Sequence, residues 1–460
     1  MKADLYLKNG LVVTEETMFH GGVVIANGKI VDLVTGNDDI AAQKVVDVQG
    51  KVVLPGLVDD HVHFNEPGRE HWEGYQAGSM AAAAGGVTTF IEMPLNATPP
   101  TINREQLMRK REAVKSQSVV DYAHWGGLVD NNLDDLAGLH EEGVVAFKGF
   151  MSESGVDFKR INDDVLYGGL SKSRQLGTII GLHAESEYVT RFLGQEIQAT
   201  GRTDRNAWAE SRPPFTELEA DKRAIYWAKV TGGNLHIVHT TIAAGIHAVA
   251  AAKKEGVHVT VETCPHYLFF DNDDFVRIGP AAKCAPPLRE RDEVEKLWAC
   301  VLAGMVDTIA SDHSPCPIAD KVKGNDDIWQ AWGGITGVQM MLPAILTEGV
   351  HKRSMSLPLL VKLMSANPAR IFGLYPQKGA MLAGSDADIV IVDLDKSWRL
   401  DAKDLFSRHQ QSAYVGYEFK GRVEQTIVRG ETVYEHGKIV AQPGYGQLLK
   451  RRLPGAAPFK

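Results

Sequence analysis

Cysteine is scarce in this chain of 460 residues: Cys264, Cys284, Cys300 and Cys316 are all there are, and no two form a CxxC pair. That argues against a disulfide framework and fits a reduced, cytoplasmic protein with unpaired thiols. Long hydrophobic runs are missing too, so no segment is expected to span a bilayer. The opening Met1-Lys2-Ala3-Asp4-Leu5 lacks the charged-then-apolar plan of a secretion signal. Basic residues are outnumbered, 49 Lys and Arg against 58 Asp and Glu, for a net charge of -9. Neither nucleic acid nor an acidic membrane surface is therefore expected as a partner. Solenoid repeats, low-complexity tracts and a dinucleotide fingerprint are absent; Gly333-Gly334-Ile335-Thr336-Gly337 lacks the spacing and the preceding strand of the last.

What is present reads as a globular enzyme, with 44% hydrophobic and 23% charged residues. The first 53 residues read as short strands. Asn9-Gly10 and Asn27-Gly28 each sit between apolar runs, which predicts two hairpins. A strand over 388–392 and a hairpin over 425–434 follow near the other end. So few strands cannot bury both faces alone, so the termini are expected to meet in a small β domain, residues 1–53 plus 373–460. Lys450-Arg451-Arg452-Leu453-Pro454 reads as a solvated basic tail, and Arg109, Lys110 and Arg111 as a solvated helix face.

Residues 54–372 alternate between strand-like and helix-like segments. Eight apolar runs, at 58–63, 86–93, 119–124, 144–148, 178–183, 234–239, 257–262 and 307–312, are each accompanied by a helical segment. The predicted fold is α/β: a (β/α)8 TIM-like barrel with a small β-sandwich domain built from both chain termini.

Chemistry in such barrels sits at the C-terminal strand ends. Those ends carry His61 and His63, Lys148, His183, His239 and Asp312. On a strand, residues i and i+2 share a face, so His61 and His63 can grip one ion. A single histidine at a strand end is usually structural; six titratable groups at one end of a barrel point to convergent metal ligands. Nitrogen and oxygen donors suit zinc or a similar divalent ion. A protonated Lys148 would repel such an ion, but burial beside cations favours the neutral amine, which can take up CO2 as a bridging carbamate. Cys264-Pro265-His266 is not read as a nucleophile pair, since adjacent residues point apart on a strand, and Cys284 is read as lining the pocket or buried near it.

His61-Val62-His63, Phe147-Lys148-Gly149-Phe150, Gly181-Leu182-His183-Ala184-Glu185, Val238-His239-Thr240 and Ser311-Asp312-His313-Ser314-Pro315 resemble the motifs of cyclic amidohydrolases. That group includes hydantoinases, dihydropyrimidinases, dihydroorotases and allantoinases. The resemblance covers nearly the whole chain, including Ser365-Ala366-Asn367-Pro368-Ala369. It implies two divalent metal ions, Zn2+ with Co2+ or Mn2+ as alternatives. His61, His63, carboxylated Lys148 and Asp312 would hold one; Lys148, His183 and His239 would hold the other, with a bridging hydroxide. It further implies cyclic-amide hydrolysis, Asp312 as the proton carrier, and a homotetramer.

Departures from the pattern narrow the substrate. Dihydroorotases carry an arginine for the substrate carboxylate two residues after the second histidine; here the residue is Asn65. Hydantoinases and dihydropyrimidinases carry a tyrosine five residues after the lysine and a serine before Pro-Pro-Leu-Arg; here these are Glu153 and Ala285. Met93-Pro94-Leu95-Asn96, Ser311-Asp312-His313-Ser314-Pro315-Cys316-Pro317, Gln330-Ala331-Trp332-Gly333-Gly334-Ile335-Thr336-Gly337 and Ser412-Ala413-Tyr414-Val415-Gly416 resemble the allantoinase branch. The implied reaction is opening of allantoin to allantoate, with hydantoin or dihydropyrimidine rings as the alternative and a non-catalytic scaffold as a further one. A neutral ring of this kind suits a pocket of backbone, amide and hydroxyl groups without a fixed cation. The candidate contacts are Asn96, Ser152, Ser314, Gly333 and Gly334.

Overall fold

Both ends of the chain enter one nine-stranded sheet in the computed structural model, which describes residues 3–36 and 40–451. Ala3–Val13 pairs antiparallel with Met18–Ala26, which pairs in turn with Lys29–Thr35. Ala42–Asp47 and Val52–Pro55 add to Ala3–Val13 in parallel. From the other end come Ile389–Arg399, Glu418–Val428, Glu431–Glu435 and Lys438–Ile439, successive antiparallel neighbours. The halves join where Ile389 faces Pro55 and Val390 faces Leu54. These are the most apolar runs at either end, and burial on both faces is what such runs require.

Asn27-Gly28 forms the expected hairpin, with Ala26 opposite Lys29 and φ of 51° and 72° at the two turn residues. Asn9-Gly10 does not. Ala3–Val13 is one strand, and Asn9, at φ 60°, sits in a register shift between Leu7 and Gly10. A positive φ serves a bulge as well as a turn. Here the Asn9 amide also reaches across to Asp47 Oδ2 at 2.7 Å, and the chain reverses later, at residues 14–17.

Eight parallel strands form the barrel: Leu57–Val62, Val87–Glu92, Asp121–His124, Phe147–Phe150, Ile180–His183, Leu235–Ile237, Val259–Thr263 and Thr308–Ile309. Every residue in them is buried, as expected of a parallel sheet covered by helices. The third and fourth strands are linked by Val145 N to His124 O at 3.0 Å. The ring closes where His63 N donates to His313 O at 2.8 Å. Barrel and terminal sheet are tied by Lys378, whose buried ammonium meets Asp121 of the third strand at 2.5 Å and Asp388 at 2.9 Å.

Two charged runs are not solvated as expected. Lys110 is buried in the helix Arg104–Val114, donating to Glu92 Oε1 and Met93 O, both at 3.3 Å. Consecutive helical residues are rotated by about 100°, so three in a row cannot share one face. The segment before the C-terminus runs along the third barrel strand, with Leu449 N on Tyr122 O at 2.7 Å. Arg451 is buried and its Nη1 donates to Val145 O at 2.8 Å; residues 452–454 of that run lie outside the described residues.

Candidate active site

Five of the eight strand ends open onto one cavity of about 500 Å³. Its floor is His61 and His63 from the first strand, Lys148 from the fourth, His183 from the fifth, His239 past the sixth and Asp312 past the eighth. His239 and Asp312 both take φ 42°, in the left-handed region. Such backbone persists only where the surroundings impose it, and it recurs at working sites. For His239 the constraint is visible: its N–H donates to Glu262 Oε1 at 2.9 Å.

The donor atoms crowd together. Asp312 Oδ1 lies 3.2 Å from His61 Nε2 and 3.4 Å from His63 Nε2. His183 Nδ1 lies 3.0 Å from His239 Nε2. Donors sharing one tetrahedral ion at metal–nitrogen distances of about 2.0–2.1 Å stand roughly 3.3 Å apart, so these spacings fit common ions.

Carboxylates behind the rings set the tautomers. Glu262 Oε1 accepts from His61 Nδ1 at 2.8 Å, which leaves Nε2 with its lone pair toward the cavity. Glu185 Oε2 does the same for His183 Nε2 at 2.6 Å, leaving Nδ1 inward. Glu185 is itself held by Arg212 Nη1 at 2.5 Å, and His236 Nε2 lies 3.4 Å from the other Glu262 oxygen.

Burial holds His61, His183 and His239 in their neutral, ligating form. Burial pushes the Asp312 carboxyl up, but its interactions with the imidazoles packed around it, His61 foremost, and a hydrogen bond from His63 outweigh burial and hold it well below the usual range. Against burial, His61 and His236 bring Glu262 down to about 2, and the Arg212 guanidinium, with the hydrogen bond from His183, brings Glu185 to about 2. Burial lowers Lys148 to about 8 against the pull of Asp312 and Glu262. Its Nζ has no hydrogen-bond partner among the described residues, and neither do His63 Nδ1 and His239 Nδ1. A buried amine with nothing to bind, amid convergent lone pairs, fits a site completed by metal ions.

Of the expected substrate contacts, Asn96, Ser314 and Gly333 line the cavity, whereas Ser152 and Gly334 are buried or turned behind it. Asn65 is buried off the cavity. Glu153 and Ala285 do line it. The expectation of a pocket without fixed cations is overturned: Arg69, Arg212 and Lys283 all line the wall, among Trp72, Trp208, Trp329 and Trp332. These cations come from loops between elements, so no strand-end pattern reveals them. Burial pushes the Cys264 thiol well above its usual range and Cys284 to about 12, so neither is a nucleophile, and Cys284 is not among the lining residues. Glu262 and Glu185 join the site beyond the residues expected from the sequence. Glu262 ends the apolar run of the seventh strand just as the named residues end theirs, and that signal could have found it.

Barrel and donor set together define a hydrolase of the metal-binding (β/α)8 class. The family model "Amidohydrolase family" matches residues 52–433, and the chain belongs to the amidohydrolase family. Among its relatives is an allantoinase of Deinococcus radiodurans, 43% identical over 98% of this chain and 100% of that protein. An allantoinase of Rubrobacter xylanophilus is 47% identical over 94% of this chain and 96% of its own. Among solved structures, an L-hydantoinase (dihydropyrimidinase) from Arthrobacter aurescens superposes with a TM-score of 0.95 at 35% identity, covering 98% of this chain and 100% of that one.

Proposed function

We propose that this enzyme hydrolyses the ring amide of allantoin to give allantoate. The observation that carries the hydrolytic reading is the convergence of six strand-end donors, His61, His63, Lys148, His183, His239 and Asp312, on one cavity. The choice of ring rests on the allantoinases that match this chain nearly end to end. His61, His63, Lys148 and Asp312 would hold one divalent cation and Lys148, His183 and His239 a second, with Lys148 carboxylated; zinc is the ion proposed. Bound there, the cations would supply Lewis acidity, making hydroxide available near neutral pH and polarising the scissile carbonyl.

The chain's own groups do the rest. Glu262 and Glu185 fix the imidazoles with their lone pairs inward. Asp312, kept ionised and at the cavity floor, takes the proton of the attacking water and delivers it to the ring nitrogen as the C–N bond breaks. One water is consumed, and the products are a carboxylate and a free ureido nitrogen. Asn96 and Ser314 on the wall are the proposed amide and hydroxyl contacts to the substrate. The reading also includes residues 1–53 with 373–460 as a domain apart from the 54–372 barrel, a cytoplasmic location and a homotetramer. No helix among the described residues is long and apolar enough to cross a membrane.

The test is ring opening of allantoin, hydantoin and dihydrouracil side by side, by purified protein of measured metal content. Allantoin is expected to be opened fastest, by protein carrying two ions per chain. Faster turnover of hydantoin would transfer the assignment to the hydantoinase reaction.

A further inference from the structure

Two lysines bury their ammonium groups beneath the loop that walls the cavity, and neither forms an ion pair among the described residues. Lys283 Nζ donates to the carbonyls of Ala331 at 2.7 Å, Ile328 at 2.8 Å and Trp329 at 3.5 Å. Lys321 Nζ donates to the carbonyls of Gly334 at 2.6 Å, Trp332 at 2.8 Å and Lys283 at 3.2 Å. An ammonium has three donors, and each of these two has three main-chain acceptors. Gly334 N returns a bond to Lys283 O at 2.9 Å, so the two lysines and the loop form one closed network. Such charge-assisted bonds are about twice as strong as neutral ones.

The loop so held, residues 328–334, is otherwise irregular: a single short turn, Ile328–Gln330, followed by backbone outside any helix or strand. It supplies Trp329, Gln330, Ala331, Trp332 and Gly333 to the cavity wall. Its far end is fixed by Trp332, whose Nε1 donates to Ser314 O at 3.3 Å and whose ring meets Trp72 edge-on at 4.7 Å. Lys283 itself lies 4.0 Å over the Trp208 ring. Burial, with Lys321 and Arg212 nearby and only Asp327 opposing them, pulls Lys283 down to about 7. Its three accepting carbonyls favour keeping the proton on.

We propose that Lys283 and Lys321 are positioning residues that fix the 328–334 loop as the wall receiving the substituent carried by the substrate's ring. This rests on the reading of the site as one for a substituted cyclic amide. Lys283→Met and Lys321→Met are expected to raise KM for allantoin about tenfold while kcat moves by less than about threefold. On unsubstituted hydantoin the rise in KM should be clearly smaller, because that ring carries no substituent for the wall to receive. Hydrogen exchange across 328–334 should quicken in both variants. In the unmodified protein the amides of Trp332, bound to Asp320 O at 3.1 Å, and Gly334 should exchange slowly. Fast exchange at these amides overturns the proposal without any variant, so misfolded variants would not leave it standing. Unchanged loop exchange in both variants, or equal effects on allantoin and hydantoin, also overturns it. Protein that opens neither ring, yet shows slow loop exchange that both variants release, rejects the reaction and retains the two-lysine clamp.

Discussion

Lys148 is the one residue of the proposed centre that must lose its own charge before it can serve. Burial favours that loss, lowering the amine to about 8, and the absence of any hydrogen-bond partner among the described residues leaves its nitrogen free to react with CO2. Lys148→Ala should therefore yield folded protein without stoichiometric metal and without measurable ring opening. Glu262→Gln tests the layer behind: it keeps the shape but weakens the acceptor that fixes His61 and His239, and should lower metal affinity or rate by about 10–100-fold. Metal content and rate that both match the unmodified protein would remove Glu262 from the site. At this scale the ligands were legible because a strand end announces itself: an apolar run stops at a polar group. Lys110 was misread because a run of charges looks solvated until its helical rotation is counted. Arg69, Arg212 and Lys283 were invisible because loops carry no period that says which way a side chain points.

Among the elements, strands were easier to read than the turns between them. The barrel runs are rich in apolar residues on both faces, polar groups such as Asp59, Asp60 and Asp121 notwithstanding, which points to burial on both sides, and the alternation with helices then points to parallel order. Asn9-Gly10 shows the limit, since a bulge and a hairpin use the same left-handed residue. The contact between terminal sheet and barrel lay beyond pattern altogether, because it depends on long-range pairs. One is Glu15, on the reversal at 14–17, which takes a bidentate guanidinium from Arg370 of the helix Asn367–Ile371 and a hydrogen bond from Tyr375 at 3.0 Å. The Arg370 hydrogen bond holds the Glu15 carboxyl below its ordinary value. A carboxyl lowered on folding contributes stability above its unfolded pKa, near 4.5, and loses it as pH falls through the folded value. Glu15→Gln should therefore be less stable than the unmodified protein at pH 7, by under about 1 kcal/mol for so accessible a pair. The urea midpoints of the two should converge as pH falls from 4.5 through the lowered folded value. A gap that persists in acid strong enough to protonate Glu15 in both states would assign the effect to packing.

For the molecule as a whole, the outer helices raise a question that one chain cannot answer internally. Tyr188 and Phe192, 60% and 59% exposed, stand one turn apart on the helix Glu187–Ala199. Phe215, Tyr226 and Val230, 58%, 59% and 52% exposed, lie along one stripe of Pro214–Thr231, since eleven residues make close to three turns. Isolated exposed apolar residues are ordinary, but large ones repeated along one face mark a contact surface. A tetramer is implied in the sequence only through resemblance, because a surface stripe has no partner inside its own chain to make it legible. If these faces join copies of this chain, Phe192→Glu with Phe215→Glu places two carboxylates per chain in each contact, where desolvation and like charge both oppose association. Light scattering should then report a smaller species than for the unmodified protein. The barrel's donor residues lie at the strand ends rather than on these helices, so bound metal per chain should not change. An unmodified protein that is already a monomer, or a doubly substituted one of unaltered mass, would show that these aromatics are not what holds the copies together.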